Sequence, residues 1–538
     1  MFNCVRNWYI RSRLYGLMLR KSVHNQLRGL HQDTWPSVAW NTRSLGSGLY
    51  QAGKVTLTIA EMLKALTQPK LDATTVSLHT FDFLRDLHAI GDNNSRRLAR
   101  QCISTWLDHN NLWSNKPWCT VSWNLDILGY RLCNWFGFYD FFGHSADQEF
   151  RKKLLISIGQ QYRFLKRRYS TLKDPLSRFR ALKGLIYAGC ALPREQNQLG
   201  KWLASLQICL SEQLDKQFNH QSRHPGTLVL LLRDLIDLRL LLRHFYAGQI
   251  DNLNDCIAHL TPIVRHLRHG DGELSSFSGN ATERLEAFCD PVLGGGLVDM
   301  VLSLADSRNV LKEPVAMGYV RCSSKAGFLL INTEPTFGNT QMIDWYSRST
   351  GVLDFEWSEL AQRLLTRGDV SVHAIDSNCF VHYKPQKNQV LKTNIVHAEG
   401  HGFFNSDYRV SNQPSKEDPH GVTLQIKREL YISPSGDIRG EDAILLSQTG
   451  AVYLRFLAAP GLEWRIVDDS ESAFLCKNLS LNKSQKPEHL KRFLCLKPSG
   501  GAVKLTVLNV LDQQALCVII PITTNLQTSL KWAISPIS

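Results

Sequence analysis

Residues Asp215–Phe245, DKQFNHQSRHPGTLVLLLRDLIDLRLLLRHF, read as a polar loop that runs straight into a long helix. Pro225 suits the first helical turn, because its missing N–H would be unpaired there anyway. From Leu228 the leucines fall on more than one helical face, and Arg233, Asp234, Asp237 and Arg239 interrupt them at spacings that allow opposite-charge pairs. This is the pattern of a buried helix with a polar mouth. His220, Arg223 and His224 at that mouth point to an acidic ligand at a helix N-terminus, while the plainer role for them is to cap and solubilise a loop.

Working outward, 538 residues at 43% hydrophobic and 20% charged are globular and too long for one ordinary core, so two or three domains are expected. The formal charge of +14 asks for an acidic partner: nucleic acid, anionic lipid or acidic polysaccharide. Zinc-finger spacing, an RNP-like segment and a lysine-rich tail are all missing, so no nucleic-acid partner is expected. The 13 cysteines are odd in number and scattered without a CxxC pair, which fits buried thiols better than a disulfide framework. No stretch reaches the eighteen or so apolar residues of a membrane span. Arg6, Arg11, Arg13 and Arg20 break up the apolar N-terminus, which reads as an amphipathic basic helix that packs on the first domain or touches an anionic membrane surface.

Residues 1–75 form a basic lead-in, after which helical periodicity dominates: 79–90, 95–110, 148–168, 176–191, 196–217, 226–246, 250–268 and 282–306. Trp106, Trp113, Trp118, Trp123 and Trp135 crowd into thirty residues. Flat rings stack on sugar faces, and Asn124 and Arg131 would supply polar neighbours for such a site, although aromatics at helical spacing serve a core more often than a platform. Beyond about 310 the pattern turns alternating and strand-rich, in YVRCSSKAGFLLINTE, GVLDFEW, VSVHAID, VTLQIKRELYIS, AVYLRFLAA, LEWRIVD and VKLTVLNV. A helical half followed by an antiparallel half makes an α+β multidomain chain.

The strings FDFLRDLHAIG, WNLDILGYRLCNWFGFYDFF, LKGLIYAGCALP, HQSRHPGTLVLLLRDLIDLRLLL, RHGDGELSSFSG and RELYISPSGDIRGED, in this order, resemble the heparinase II/III-like family and its alphaproteobacterial branch. The resemblance implies an incomplete (α/α) toroid over 76–310, an antiparallel β-sandwich over 311–538, and β-elimination on uronic-acid-containing acidic polysaccharides. It also implies a periplasmic or envelope location, whereas the N-terminus and the cysteines suit the cytoplasm. Elimination needs a group on the uronate carboxylate, a base at C5 and a proton donor to the leaving oxygen.

Several positions that the family fills with catalytic or metal-binding residues are different here. Gly226-Thr227 follow Pro225 where a tyrosine is expected, and Leu176-Ser177-Arg178 replace Asn-His. Ser347-Arg348-Ser349 stand where His-x-His is expected, and Leu457 and Ala459 stand for two further histidines. The remaining candidates are His220, His401 and Tyr139 for proton transfer, with Tyr130 as a further substitute base. Arg223, Trp123, Asn124, Arg131 and Trp135 are the candidates for substrate binding. His397 lies beside His401 in VHAEGHGFF. A catalytically degenerate, glycan-binding lyase fold is the alternative reading. No cofactor and no metal are expected, since structural zinc wants four donors. Purified, dialysed protein should therefore carry less than about one tenth of an equivalent of zinc; stoichiometric zinc by elemental analysis would overturn the alignment at Ser347, Ser349, Leu457 and Ala459.

Overall fold

Aspartates start the long helices of the first half. The side chains of Asp92, Asp147 and Asp174 accept the backbone N–H of Ser95, Phe150 and Ser177 at 2.6, 2.8 and 2.8 Å, each satisfying a donor that the first turn leaves unpaired. The computed structural model describes residues 27–536 with breaks, the longest at 111–120, 216–222, 278–293, 334–352, 381–391, 412–422 and 478–491. Two compact units divide the chain: Met1–Gln221 with Val229–Thr261 and Thr282–Ser307, and Ser222–Leu228 with Pro262–Ala281 and Arg308–Ser538.

The first unit is helical. Its main helices are Asn93–His109, Gln148–Arg168, Pro175–Ala191, Leu199–Gln213 and most of Pro225–Phe245 and Asp251–His266, close to the expected bounds, together with Leu125–Gly137 in the tryptophan-rich stretch, a segment with no expected helix. A hairpin of Leu49–Ala52 and Val55–Thr58 lies within the stretch read as a lead-in. The run expected at 79–90 is broken: Phe81 takes a left-handed φ of 63° and separates Ala73–Thr80 from Leu84–Ile90. Its ring is fully buried, edge-on to Trp106 and Trp135 at 6.4 and 5.3 Å, and that burial outweighs a backbone cost of roughly 1–3 kcal/mol. Of the helix expected at 282–306, Gly294–Ala305 is seen and the start lies outside the described residues.

The second unit holds two antiparallel sheets. One runs Leu462–Ile466, Ser472–Lys477, Arg492–Pro498, Thr528–Pro536, Ile438–Leu446, Thr423–Ile432, His401–Ser411, Lys392–Ala398. The other runs Lys504–Val510, Gln513–Ile522, Gly450–Ala458, Gln362–Ala374, Phe355–Glu359, Gly327–Asn332, Tyr319–Ser323, Val315–Ala316, with Cys379–Phe380 paired to Gln362–Ala374. Buried and half-buried residues alternate along Gly450–Ala458, so one face of that strand enters the core. The two sheets share the core: Phe355 of one stacks on Trp532 of the other at 5.8 Å and 9°.

In the helical unit, Leu125–Gly137 and Pro175–Ala191 approach closely because both carry glycine at the crossing. A Cβ on Gly184 would lie 2.6 Å from the Cα of Gly129, and one on Gly129 would lie 2.4 Å from the carbonyl oxygen of Arg180. Gly184→Val should therefore cost about 1–3 kcal/mol, the scale of overpacking a filled core; an unchanged denaturation midpoint would mean the helices do not cross this tightly.

Candidate functional site

Among the described tryptophans of the aromatic segment, Trp106, Trp123 and Trp135 build core rather than a sugar platform. Arg131 is fully buried on helix Leu125–Gly137, 4.2 Å over the Trp106 ring. It donates to Gln161 Oε1 at 2.8 Å, to the carbonyl of His79 at 3.2 Å and to that of Ser122 at 2.6 Å. Trp135 is fully enclosed and edge-on to Trp106 at 5.4 Å. Trp123 is buried with its indole N–H on the carbonyl of Asn110 at 2.9 Å. With both faces covered, Trp123 and Trp135 have none to offer a sugar, which corrects the sequence reading of Trp123, Arg131 and Trp135 as substrate binders. Asn124 is exposed at the helix start and makes no capping bond. Tyr139 is half-buried, with burial raising its hydroxyl above the usual value against the opposing pull of Arg151, so at neutral pH it is a phenol.

Arg223 is likewise committed to structure. With a left-handed φ of 52° it donates from Nε to the carbonyl of Met317 at 2.6 Å, and from Nη2 to the carbonyl of Gly318 at 3.1 Å and Asn332 Oδ1 at 2.9 Å. The Tyr319 hydroxyl returns a bond to the Arg223 carbonyl at 2.8 Å. These acceptors arise where Met317 and Gly318, both at positive φ, turn their carbonyls inward, and they correct the reading of Arg223 as an anion receptor. His224 caps the helix instead, its Nδ1 accepting the Thr227 N–H at 3.2 Å. His220 lies outside the described residues.

Two buried polar clusters have the composition of active sites. In the helical unit Lys183 donates to Asp234 Oδ1 at 2.5 Å and Asp237 Oδ2 at 2.6 Å, while the Tyr130 hydroxyl donates to Asp234 Oδ2 at 2.6 Å. Burial opposes the charge on Lys183, but the two carboxylates outweigh it and hold the ammonium well above its ordinary pKa. Burial and Asp234 likewise push Tyr130 up. A permanent ammonium and a permanent phenol keep their protons at neutral pH and accept none, so Tyr130 is no substitute base. In the second unit His269 bridges Ser358 Oγ, 2.6 Å from Nδ1, and Glu356 Oε2, beside Nε2. Burial and Arg363 lower the His269 pKa, so the neutral ring donates from Nε2 to the carboxylate and accepts the serine hydroxyl at Nδ1. The trio copies the order of a nucleophilic triad, but Ser358 and Glu356 are completely buried and closed to a substrate.

The half-exposed candidates lie on the outer face of the sheet that contains His401–Ser411. His401 bonds through Nδ1 to the Tyr431 hydroxyl, and the two rings stack at 5.6 Å and 28°. The pair is diagonal across neighbouring strands, since Tyr431 is registered with Phe403. On its other side Tyr431 is registered with Arg439, whose side chain is 68% exposed and donates from Nε to Asp437 Oδ2 at 2.7 Å. The sequence singles out His401 and neither partner, although Tyr431 alternates out of phase with the core residues Leu430 and Ile432 in its own string. His397 sits exposed on the edge strand, registered with Gly402. His401 and Tyr139 belong to different units.

Among the described residues no group of three or more His, Cys, Asp or Glu side chains could hold a metal ion. Where the family resemblance places histidines, Leu457 is half-buried and Ala459 buried, next to a two-pronged Arg455–Asp369 pair at 2.8 and 2.7 Å. Ser347 and Ser349 lie outside the described residues.

No protein-family model and no curated protein sequence matches the chain. Solved structures do. Heparinase III is similar with a TM-score of 0.61 and 12% identity, over 87% of this chain and 78% of that one. A heparinase III gene product gives 0.59 and 11%, over 89% and 83%. A heparan sulfate lyase mutant from Pedobacter heparinus gives 0.55 and 11%, over 94% and 84%. The likeness is one of fold, and it agrees with the heparinase II/III-like resemblance carried by the sequence strings.

The cluster around Arg131 has a measurable consequence. His79, whose Nδ1 accepts the Trp106 indole N–H at 3.0 Å, is lowered to a pKa of about 3 by burial and by Arg131. Below pH 6.5 the unfolded chain takes up a proton that the folded chain refuses, so stability is full above 6.5 and falls as pH drops towards 3. His79→Asn, which keeps an acceptor for the indole, should flatten the fall in melting temperature across that window; an unchanged acid slope would place the loss at other groups.

Proposed function

We propose that this chain is a heparinase II/III-like polysaccharide lyase that cleaves uronic-acid-containing acidic glycans by β-elimination. The observation that carries the reading is fold likeness to heparinase III and heparan sulfate lyase structures over 87–94% of the chain. The basic balance of +14 supports an acidic substrate. On this reading the helical unit is the incomplete (α/α) toroid, and the protein works in the periplasm or cell envelope, where its basic N-terminus can touch an anionic membrane surface. Among the described residues no helix is long and apolar enough to cross a membrane.

Elimination removes the C5 proton, forms the C4–C5 double bond and expels the C4 oxygen, which takes a proton as it leaves. The C5 proton becomes acidic only when the neighbouring carboxylate is neutralised. Of the proposed proton carriers, His220, Tyr139 and His401, the last is the one seen hydrogen-bonded to a second proton-carrying side chain, the Tyr431 hydroxyl. The assignment is His401 as base at C5, Tyr431 as hydroxyl donor to the leaving oxygen, and Arg439 on the uronate carboxylate. Asn124, exposed ahead of its helix, is the remaining candidate for a sugar hydroxyl.

The test is a lyase assay over heparan sulfate, chondroitin, alginate and bacterial envelope glycans, following the ultraviolet absorbance of the unsaturated uronate. His401→Ala should lower turnover by about a hundredfold or more, the usual scale for a general acid or base. Full activity in that variant with loss in His220→Ala would move the base to the loop before Pro225. Glycan binding without elimination on any substrate would assign the chain to the degenerate, glycan-binding class.

A further inference from the structure

We propose that the edge strand Lys392–Ala398 is a docking surface for a second copy of this chain, which adds its own Lys392–Ala398 in the antiparallel sense and joins two eight-stranded sheets into one.

The strand ends its sheet. It pairs with His401–Ser411 in an unbroken register from Lys392 opposite Asp407 to Ala398 opposite His401, and among the described residues no strand pairs with its other side. That side presents a row of open N–H and C=O groups, a ready template for another strand unless brevity, proline, a bulge or charge blunts it. Here seven residues, KTNIVHA, run without proline or bulge, and no Asp, Glu, Lys or Arg follows Lys392 at the first position. Thr393, Ile395 and Val396 are β-branched, which suits an extended backbone. Val396 is 46% exposed, and Ile395 stays half-buried although it packs against the core of the sandwich.

The other sheet edges are better guarded. Val315–Ala316 has two residues, and Leu462–Ile466 has five and carries the Arg465–Glu463 ion pair. Lys504–Val510 lies against Leu462–Ile466. The unguarded edge is thus a local feature of one strand.

Its sequence selects the occupant. Lys392 opens the strand and Glu399 follows its end, so parallel pairing of two copies would bring like charges together, whereas antiparallel pairing brings each Lys392 to the end where the partner's Glu399 lies. Pairing about Ile395 sets that residue against the partner's Ile395, on the side of the sheet where the neighbouring Phe404 and Ser406 are fully buried. Each half-buried isoleucine then covers the other, and the core continues across the junction. Thr393 falls opposite the partner's His397 and Asn394 opposite the partner's Val396, with no like charges opposed. A two-fold contact of this kind is closed, so assembly stops at two.

On the outer face the row Arg439, Tyr431, Phe403 and Val396 then continues into the partner's Asn394 and the partner's Asn405. The pairing itself does not depend on the proposed lyase activity.

The test is sedimentation velocity of the full chain from about 1 µM to about 500 µM, a range suited to a contact smaller than a standard interface. The parent should pass from monomer towards dimer within it. Thr393→Lys with His397→Lys, both at exposed positions, opposes like charges at two symmetric places and should weaken association at least about tenfold. Thr393→Glu with His397→Lys opposes unlike charges at the same two places and should associate at least as tightly as the parent. The two variants share His397→Lys and differ only at residue 393, so a general folding defect cannot mimic this pattern. A parent that stays monomeric throughout overturns the docking surface. A dimer that all three proteins form equally well lies on another surface and overturns it too, and a charge-swapped variant that stays monomeric overturns the register about Ile395.

Discussion

A guanidinium with no exposed surface sets the terms for the sandwich. Arg428 lies between the two sheets at 0% exposure, and a charge so placed is costly unless it is paired with an opposite charge. It donates from Nε to Asp442 Oδ1 at 2.5 Å, and from Nη1 to the carbonyls of Leu353 and Gly368 at 2.8 and 3.2 Å, while Nη2 is left without a partner. Asp442 is its directly opposed residue on the next strand, whereas Leu353 and Gly368 come with the facing sheet. The second carboxylate oxygen accepts the Trp532 indole N–H at 2.9 Å. That indole occupies the space over Gly440, where a Cβ would come within 2.2 Å of it, and stacks on Phe355. One buried pair thus fixes strand register, sheet separation and the placement of the largest aromatic side chains. Removing either partner leaves a bare charge, at a cost on the order of 3–5 kcal/mol.

This ion pair explains why RELYISPSGDIRGED is so informative as a string. It begins with Arg428 and ends with Asp442, so its first and last residues are the pair itself and its glycine at 440 is the gap for Trp532. Period-two alternation makes the strands of the sandwich legible, and the 3.6 period makes the long helices legible, because both patterns record which face is buried. What escapes such patterns is set by tertiary contacts. Nothing local marks Phe81 as a left-handed break, since the reward is two tryptophans brought from other helices.

The site is harder to read for the same reason. Aromatic density on Leu125–Gly137 suggests a ligand surface, but a helix covered on nearly all sides spends its rings on neighbours. Arg223 looks like a mouth residue because the carbonyls that receive it belong to residues 317 and 318, almost a hundred positions away. His401 stands out through its string. Its partner Tyr431 hides within a core strand, although the alternation that buries Leu430 and Ile432 necessarily turns Tyr431 to the other face.

The charge balance separates interior from surface. Some buried cations have their own carboxylates, Lys183 with Asp234 and Asp237 and Arg428 with Asp442, whereas Arg131, equally buried, is held by Gln161 and two backbone carbonyls. Interior pairing of this kind contributes nothing to the excess of +14, and a buried charge without such a pair is costly. The excess must lie where water and salt reach it, and there its influence extends over roughly 8–10 Å at physiological ionic strength. A small acidic ligand would feel only the cation it touches. A polymer with a charge on every sugar or two samples many such cations together.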